Sequence, residues 1–199
     1  MLNSNRVRPI VEALFEFDKT QILTCPNCHA KSQQTNPEKI LGVSLQNPGP
    51  LKTLLRNNVF ARETRADWHC QNCQHIATTE LVQSLELLTT PEILVVELRR
   101  FLPGTHNVHI PLSQSLDLTP YTSNRTPARY RLMAVVHHSG TLDEGHYVAV
   151  ALVPGGKWQK MDDTLVTNVK VTEALSPRDF TPYLLFYAKV PSGQAITSC

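Results

Sequence analysis

Apolar positions along the chain fall in short runs separated by polar residues or proline and glycine, with little helical striping. Leu14 to Phe17, Ile22-Leu23 leading into Cys25, and Ile40 to Leu45 read as strands. After Pro48-Gly49-Pro50, apolar Leu51, Leu54 and Leu55 recur at i, i+3 and i+4 and predict one or two turns of helix, the only helix this half supports. Strands resume at Leu81, at Ser84 to Leu87, and at Ile93 to Leu98. The β-branched run in the last of these, bounded by Pro91 and Pro103, predicts a central strand. Ile110-Pro111-Leu112 reads as a short edge strand. Ser113 to Arg129 carries Pro120, Ser123, Asn124 and Pro127 and is expected to be a polar surface excursion, the best place for an insertion or a nick. Tyr130 to His138, His146 to Val153 and Trp158 to Met161 add three strands joined by short loops, and Pro182 to Val190 adds a last one before a polar tail over 191–199. With helix so sparse, the expected class is α+β, predominantly antiparallel β.

Composition changes this picture little. The 199 residues are 41% hydrophobic and 18% charged, within the globular range and enough for one core with at most a small appended module. Lys and Arg number 19 against 17 Asp and Glu, and no stretch concentrates the basic residues, so nucleic acid is not an expected partner. The polar, basic residues Met1 to Arg8 precede no apolar run of signal-peptide type, and nowhere are there about 18 apolar residues in a row, so no membrane is expected either.

The cysteines change it more. Four of the five form two CxxC pairs, Cys25-Pro26-Asn27-Cys28 and Cys70-Gln71-Asn72-Cys73, with 41 residues between them. A CxxC turn aims two thiolates at one ion, and two such turns supply a closed tetrahedral shell for structural Zn²⁺. His29, His69 and His75 flank the pairs as alternative ligands. Reduced, metal-binding thiols imply an intracellular chain, in cytoplasm or nucleus. The 41-residue interval is long for a compact ribbon, so it is expected to fold as strands.

A second cluster follows. Gly145-His146-Tyr147-Val148-Ala149 precedes Asp162-Asp163, and Pro154-Gly155-Gly156 between them predicts a hairpin. A three-residue loop pairs Val153 with Lys157 and makes His146 and Asp162 diagonal neighbours on one face. A two-residue loop exchanges Asp162 for Asp163, and spacing alone leaves the two open. In either register a histidine and a carboxylate reach one end of the hairpin, as a general base and its orienting partner require.

These motifs occur in order with Pro91 to Phe101, Tyr130 to Gly140, Trp158 and Tyr183 to Tyr187, and from about Phe15 to Tyr187 the chain resembles the ubiquitin-specific proteases. The resemblance implies the fingers and palm of a papain-like cysteine protease fold, with a zinc ribbon at the finger tip. Residues 15–90, approximately, become the fingers and 91–190 the palm. It implies deubiquitination, with ubiquitin and ubiquitinated proteins as partners, His146 as general base and Asp162 as its orienter. Tyr147, Arg100 and Phe101 match positions near the channel that receives the ubiquitin tail. The family's nucleophile lies in an N-terminal Gly-Asn-Thr-Cys box, which these residues do not contain, and Cys199 lies in the polar tail, far in sequence from any oxyanion donor. The expectation is therefore an enzyme fragment without its nucleophile, the alternative being a catalytically inactive ubiquitin-binding module.

Overall fold

The computed structural model describes residues 9–61, 63–65, 68–74, 76–77, 81–100, 108–141 and 144–191. In chain order the elements are α1 (Ile10–Phe15), β1 (Phe17–Thr24), β2 (Lys31–Glu38), β3 (Ile40–Ser44), α2 (Leu51–Leu54), β4 (Glu63–Arg65), β5 (Trp68–His69), β6 (Ile76–Ala77) and β7 (Leu81–Leu87). Then come β8 (Ile93–Arg99), β9 (Ser115–Asp117), β10 (Arg129–Gly140), β11 (Gly145–Val153), β12 (Lys157–Asp162), β13 (Leu165–Val169), α3 (Val171–Leu175) and β14 (Thr181–Lys189). Among the described residues the strands pair antiparallel except for β3 on β8, so the class is the α+β, mostly antiparallel one that the pattern implies.

The larger sheet runs β13-β12-β11-β10-β14-β8-β3, with β9 also on β10. β8 lies between β14 and β3, and its Leu94, Val96 and Leu98 are fully buried, which is why its apolar run is nearly continuous. Leu51, Leu54 and Leu55 of α2 and the π-helical turn that continues it (Leu55–Val59) join the same core. Each such leucine contributes about 1.5–3 kcal/mol of burial. Tyr130 and Tyr187 are buried in this core, and each donates its phenol to a backbone carbonyl, of Pro91 at 2.9 Å and of Ser113 at 2.8 Å. Their burial therefore leaves no hydroxyl unsatisfied.

The smaller sheet runs β2-β1-β7-β4. Its β2, Lys31–Glu38, is polar and almost wholly exposed, so no hydrophobic period betrays it. It forms because the chain turns back at the first CxxC and pairs with β1 without a break, from Thr24↔Lys31 to Phe17↔Glu38. Pro37 is tolerated because β2 is the sheet's edge.

Several expectations need correction. Leu14 to Phe17 is not one strand: Ile10–Phe15 is helical, entered from Pro9, whose φ of −54° presets the turn, and the strand begins at Phe17. Ile110-Pro111-Leu112 is not a strand. Ile110 plugs the core, while the Pro111 carbonyl accepts from Leu51 N–H and cannot serve a ladder. Ser113 to Arg129 is no loose excursion, for it contains β9 and two 3₁₀ turns, buries Leu116, Leu118 and Ala128, and stacks Tyr121 on Phe60 at 4.2 Å. A nick there would cut into the core. β13 and α3 follow Asp162-Asp163 without having been foreseen, being short and mostly exposed.

Candidate functional site

The two CxxC segments sit at the turns of two hairpins, the first joining β1 to β2 and the second joining β5 to β6. In each, the residue after the second cysteine adopts a left-handed conformation, His29 and Gln74 both at φ 59°, and its N–H donates back to the carbonyl of the first cysteine. The four Sγ atoms all lie within 4.8 Å of one another, with Cys25 to Cys73 at 3.8 Å and Cys28 to Cys70 at 3.7 Å. A tetrahedron with Zn–S bonds of about 2.3 Å has edges of about 3.8 Å, so the donor set fits that ion.

The sequence reading missed two residues here. Asn27 Nδ2 donates to Cys73 Sγ at 3.6 Å and Asn72 Nδ2 to Cys28 Sγ at 3.5 Å, so each turn's asparagine supports the last cysteine of the other. The signal was visible as the Asn shared by CPNC and CQNC. The Asn72 amide holds the Cys28 thiol below its ordinary 9.0, at about 6, which favours its thiolate. At Cys70 a backbone hydrogen bond from Cys73 is outweighed by desolvation and the neighbouring Cys25 and Cys28 thiols, which push it up to about 11. His29 and His69 stand beside this cluster and are exposed, and the four-residue ligand group includes neither. His75 lies outside the described residues.

The second cluster is built by the β11–β12 hairpin. Val153 pairs with Lys157 across Pro154-Gly155-Gly156, with Gly155 and Gly156 at φ 90° and 77°, the left-handed values such a loop needs. The register runs on to Ala149↔Met161, so period-two alternation puts His146, Val148 and Val150 on one face with Lys160 and Asp162. His146 Nε2 lies 2.6 Å from Asp162 Oδ1. Against an ionised carboxylate Nε2 carries the hydrogen and donates, which leaves the Nδ1 lone pair as acceptor. The His146 bond, followed by that from Lys160 at 2.9 Å, holds the Asp162 carboxyl below its ordinary value. Asp163, in a left-handed turn at φ 51°, also brings a carboxylate oxygen within 4.8 Å of these atoms.

Gly145, before the histidine, is required by a close approach. A Cβ there would stand 2.1 Å from His138 Nε2 and 2.8 Å from the Ser139 carbonyl oxygen. His138 is buried, and its ring lies 4.5 Å from that of Tyr147, its cross-strand partner. Tyr147 therefore projects from the face opposite His146, half exposed, with Tyr183 also beside it at 6.0 Å.

Arg100 is fully buried, donating Nε to the Pro182 carbonyl and Nη1 to that of Val108 at 2.6 Å. This arginine ties backbone segments together inside the protein and presents no surface to a ligand. Phe101 and Cys199 lie outside the described residues. No described helix is long and apolar enough to cross a membrane.

Comparison with known proteins places this geometry. The family profile described as ubiquitin carboxyl-terminal hydrolase matches residues 2–187. Ubiquitin carboxyl-terminal hydrolase 8 of Saccharomyces cerevisiae is 28% identical over 205 residues, covering 93% of this chain and 42% of its own length. Ubiquitin carboxyl-terminal hydrolase 17-like protein 12 of Homo sapiens is 31% identical over 173 residues, covering 83% of this chain and 32% of its own. Among solved structures, the SAGA DUB module of Ubp8, Sgf11, Sus1 and Sgf73 bound to monoubiquitin superposes with a TM-score of 0.84 at 27% identity, over 96% of this chain and 44% of that one. The same module bound to ubiquitin aldehyde gives 0.81 at 26%, over 95% and 44%. The chain thus spans less than half the length of these relatives and shares the fold found in those modules.

Proposed function

The chain belongs to the ubiquitin carboxyl-terminal hydrolase family, and from that membership we propose that it forms the zinc-stapled fingers and the palm of a cysteine-dependent deubiquitinating enzyme. The observation that carries the reading is the 2.6 Å bond between His146 Nε2 and Asp162 Oδ1 at the partly exposed open end of the β11–β12 hairpin. Asp162 holds the proton on Nε2 and stabilises the imidazolium, while Nδ1 takes the proton of an attacking thiol. In this reading Cys25, Cys28, Cys70 and Cys73 are ligands of the metal cluster and Cys199 stands in the polar tail, so the thiol is the one in the Gly-Asn-Thr-Cys box that the family resemblance implies.

In this reading residues 15–90, approximately, supply the fingers, with Ile40 to Phe60 running back into the core, and 91–190 supply the palm. Zn²⁺ at the four cysteines is structural: the shell is closed, so it staples two hairpins and takes no part in the reaction. Ubiquitin lies along the fingers with its C-terminal tail directed to His146. Tyr147 lines the approach, backed by His138 and Tyr183, and Arg100 acts behind it by fixing the backbone. Calorimetric titration of the zinc-loaded chain with ubiquitin and with ubiquitin lacking its C-terminal tail tests this. Binding that weakens on deleting the tail and in Tyr147→Ala supports it, and binding indifferent to both contradicts it. An inactive ubiquitin-binding module would have no use for the His146–Asp162 pair, and that pair's geometry favours the enzyme.

A further inference from the structure

Asp162 has two carboxylate oxygens and two partners. Oδ1 accepts from His146 at 2.6 Å, and Oδ2 accepts from Lys160 Nζ at 2.9 Å. Lys160 and Asp162 are two residues apart on β12 and share the face that His146 occupies across the hairpin. The Lys160 ammonium also stands 5.3 Å from the ring centroid of Phe180, and the same ring lies 6.1 Å from the His146 imidazole. A lysine free in solvent keeps its rotamer freedom. Here a carboxylate and an aromatic face offset the entropy of holding it in one place.

The charges around His146 make that placement consequential. Asp162 and Asp163 crowd it from β12 and the following turn. Glu173 of α3 and Arg178 and Asp179 of the next loop line a cleft that Lys160 and Phe180 share. His137, on β10, is neutral at ordinary pH, because burial pushes it down to about 4. The charged groups grouped with the imidazole are thus the two carboxylates Asp162 and Asp163, and Lys160 is the cation bonded to the pair itself.

Resting on the deubiquitinase reading, we propose that Lys160, seated on Phe180, is a positioning residue of the reaction. It pins the second oxygen of Asp162 so that the first stays on His146, and its charge opposes protonation of the imidazole that must act as base. A unit charge held one carboxylate away, in an effective dielectric near that of water, displaces a titration by roughly half a pH unit or more.

The test is NMR titration of the His146 imidazole in the zinc-loaded 199-residue chain, comparing wild type, Lys160→Met, Lys160→Arg and Phe180→Leu. Lys160→Met is expected to raise the His146 midpoint by about half a pH unit or more, Lys160→Arg to restore at least half of that change, and Phe180→Leu to give a smaller rise. A midpoint unmoved or lowered in Lys160→Met overturns the proposal. So does a rise that arginine fails to reverse, since the cause would then be a disturbed strand and not the missing cation. The titration requires no turnover, so failure of the deubiquitinase reading leaves its result interpretable.

Discussion

Replacing Gly145 by alanine tests whether the segment before His146 is fixed by packing. The added Cβ would stand 2.1 Å from His138 Nε2 and 2.8 Å from the Ser139 carbonyl oxygen, where ordinary contact begins at about 3.4 Å. The imidazole cannot simply swing aside, because His138 is only 5% exposed and packs on Tyr147, and the Ser139 carbonyl belongs to the paired backbone of β10. Relief must come from moving the end of β11, which carries His146. Overpacking of this kind costs about 1–3 kcal/mol, and for a chain of this size each kcal/mol lowers Tm by roughly 2–4 °C. Urea denaturation of wild type, Gly145→Ala and Gly49→Ala measures it, since a Cβ at Gly49 meets nothing within 4 Å. Gly49→Ala should stay within about 0.5 kcal/mol of wild type. A Gly145→Ala variant equally stable, with the His146 side-chain resonances unmoved, would refute the packing argument.

Metal analysis of protein purified without added zinc should give one Zn²⁺ per chain, and Cys28→Ser with Cys73→Ser should abolish it; a stoichiometry near zero would remove the metal assignment. Asn27→Ala with Asn72→Ala should weaken metal binding by about 10–100-fold in competition with a chelator, whereas unchanged affinity would make the two N–H···S contacts incidental. His137 is buried neutral, bonded through Nε2 to the Ala174 carbonyl at 2.9 Å and depressed to about 4. The unfolded chain takes up that proton first, so stability should be full above about pH 6.5 and fall by up to roughly 1.4 kcal/mol per pH unit down to about pH 4, a slope that His137→Phe should remove. Asp162 shifts the same way for a carboxylate: its folded value is depressed from 3.8, so its contribution is present above that pH and lost as pH falls further. The stability difference between wild type and Asp162→Asn should therefore shrink below about pH 4, and a difference independent of pH would count against the His146–Asp162 bond.

Much of this was legible because it lies in local pattern. The run Ile93 to Leu98 shows a central strand, and Pro154-Gly155-Gly156 announces a hairpin that brings His146 and a carboxylate to one end, while the choice of Asp162 over Asp163 needed the Val153↔Lys157 register itself. The two CxxC turns announce their ligand cluster by spacing. What was illegible depends on partners distant in sequence. β2 has no apolar period and exists through its pairing with β1, and Ile110 reads as strand until α2 is seen to claim the Pro111 carbonyl. Arg100 gives no sign in sequence that its guanidinium serves the Val108 and Pro182 carbonyls. Lys160 looks like an ordinary polar residue on a strand until Phe180, twenty residues on, is placed beneath it.

The most direct test of the central claim is hydrolysis of a fluorogenic ubiquitin conjugate by soluble, zinc-loaded, monodisperse chain, alone and with a thumb segment from a related enzyme that carries the Gly-Asn-Thr-Cys box. The chain alone is expected to be silent, because a base and its orienter have no acyl-enzyme route without a thiolate. The combined protein is expected to turn over, and His146→Ala or Asp162→Ala in this chain should remove most of that rate, since such groups act as a unit. Turnover by the chain alone that disappears in Cys199→Ser, or turnover by the combined protein that is indifferent to His146→Ala, would contradict the account.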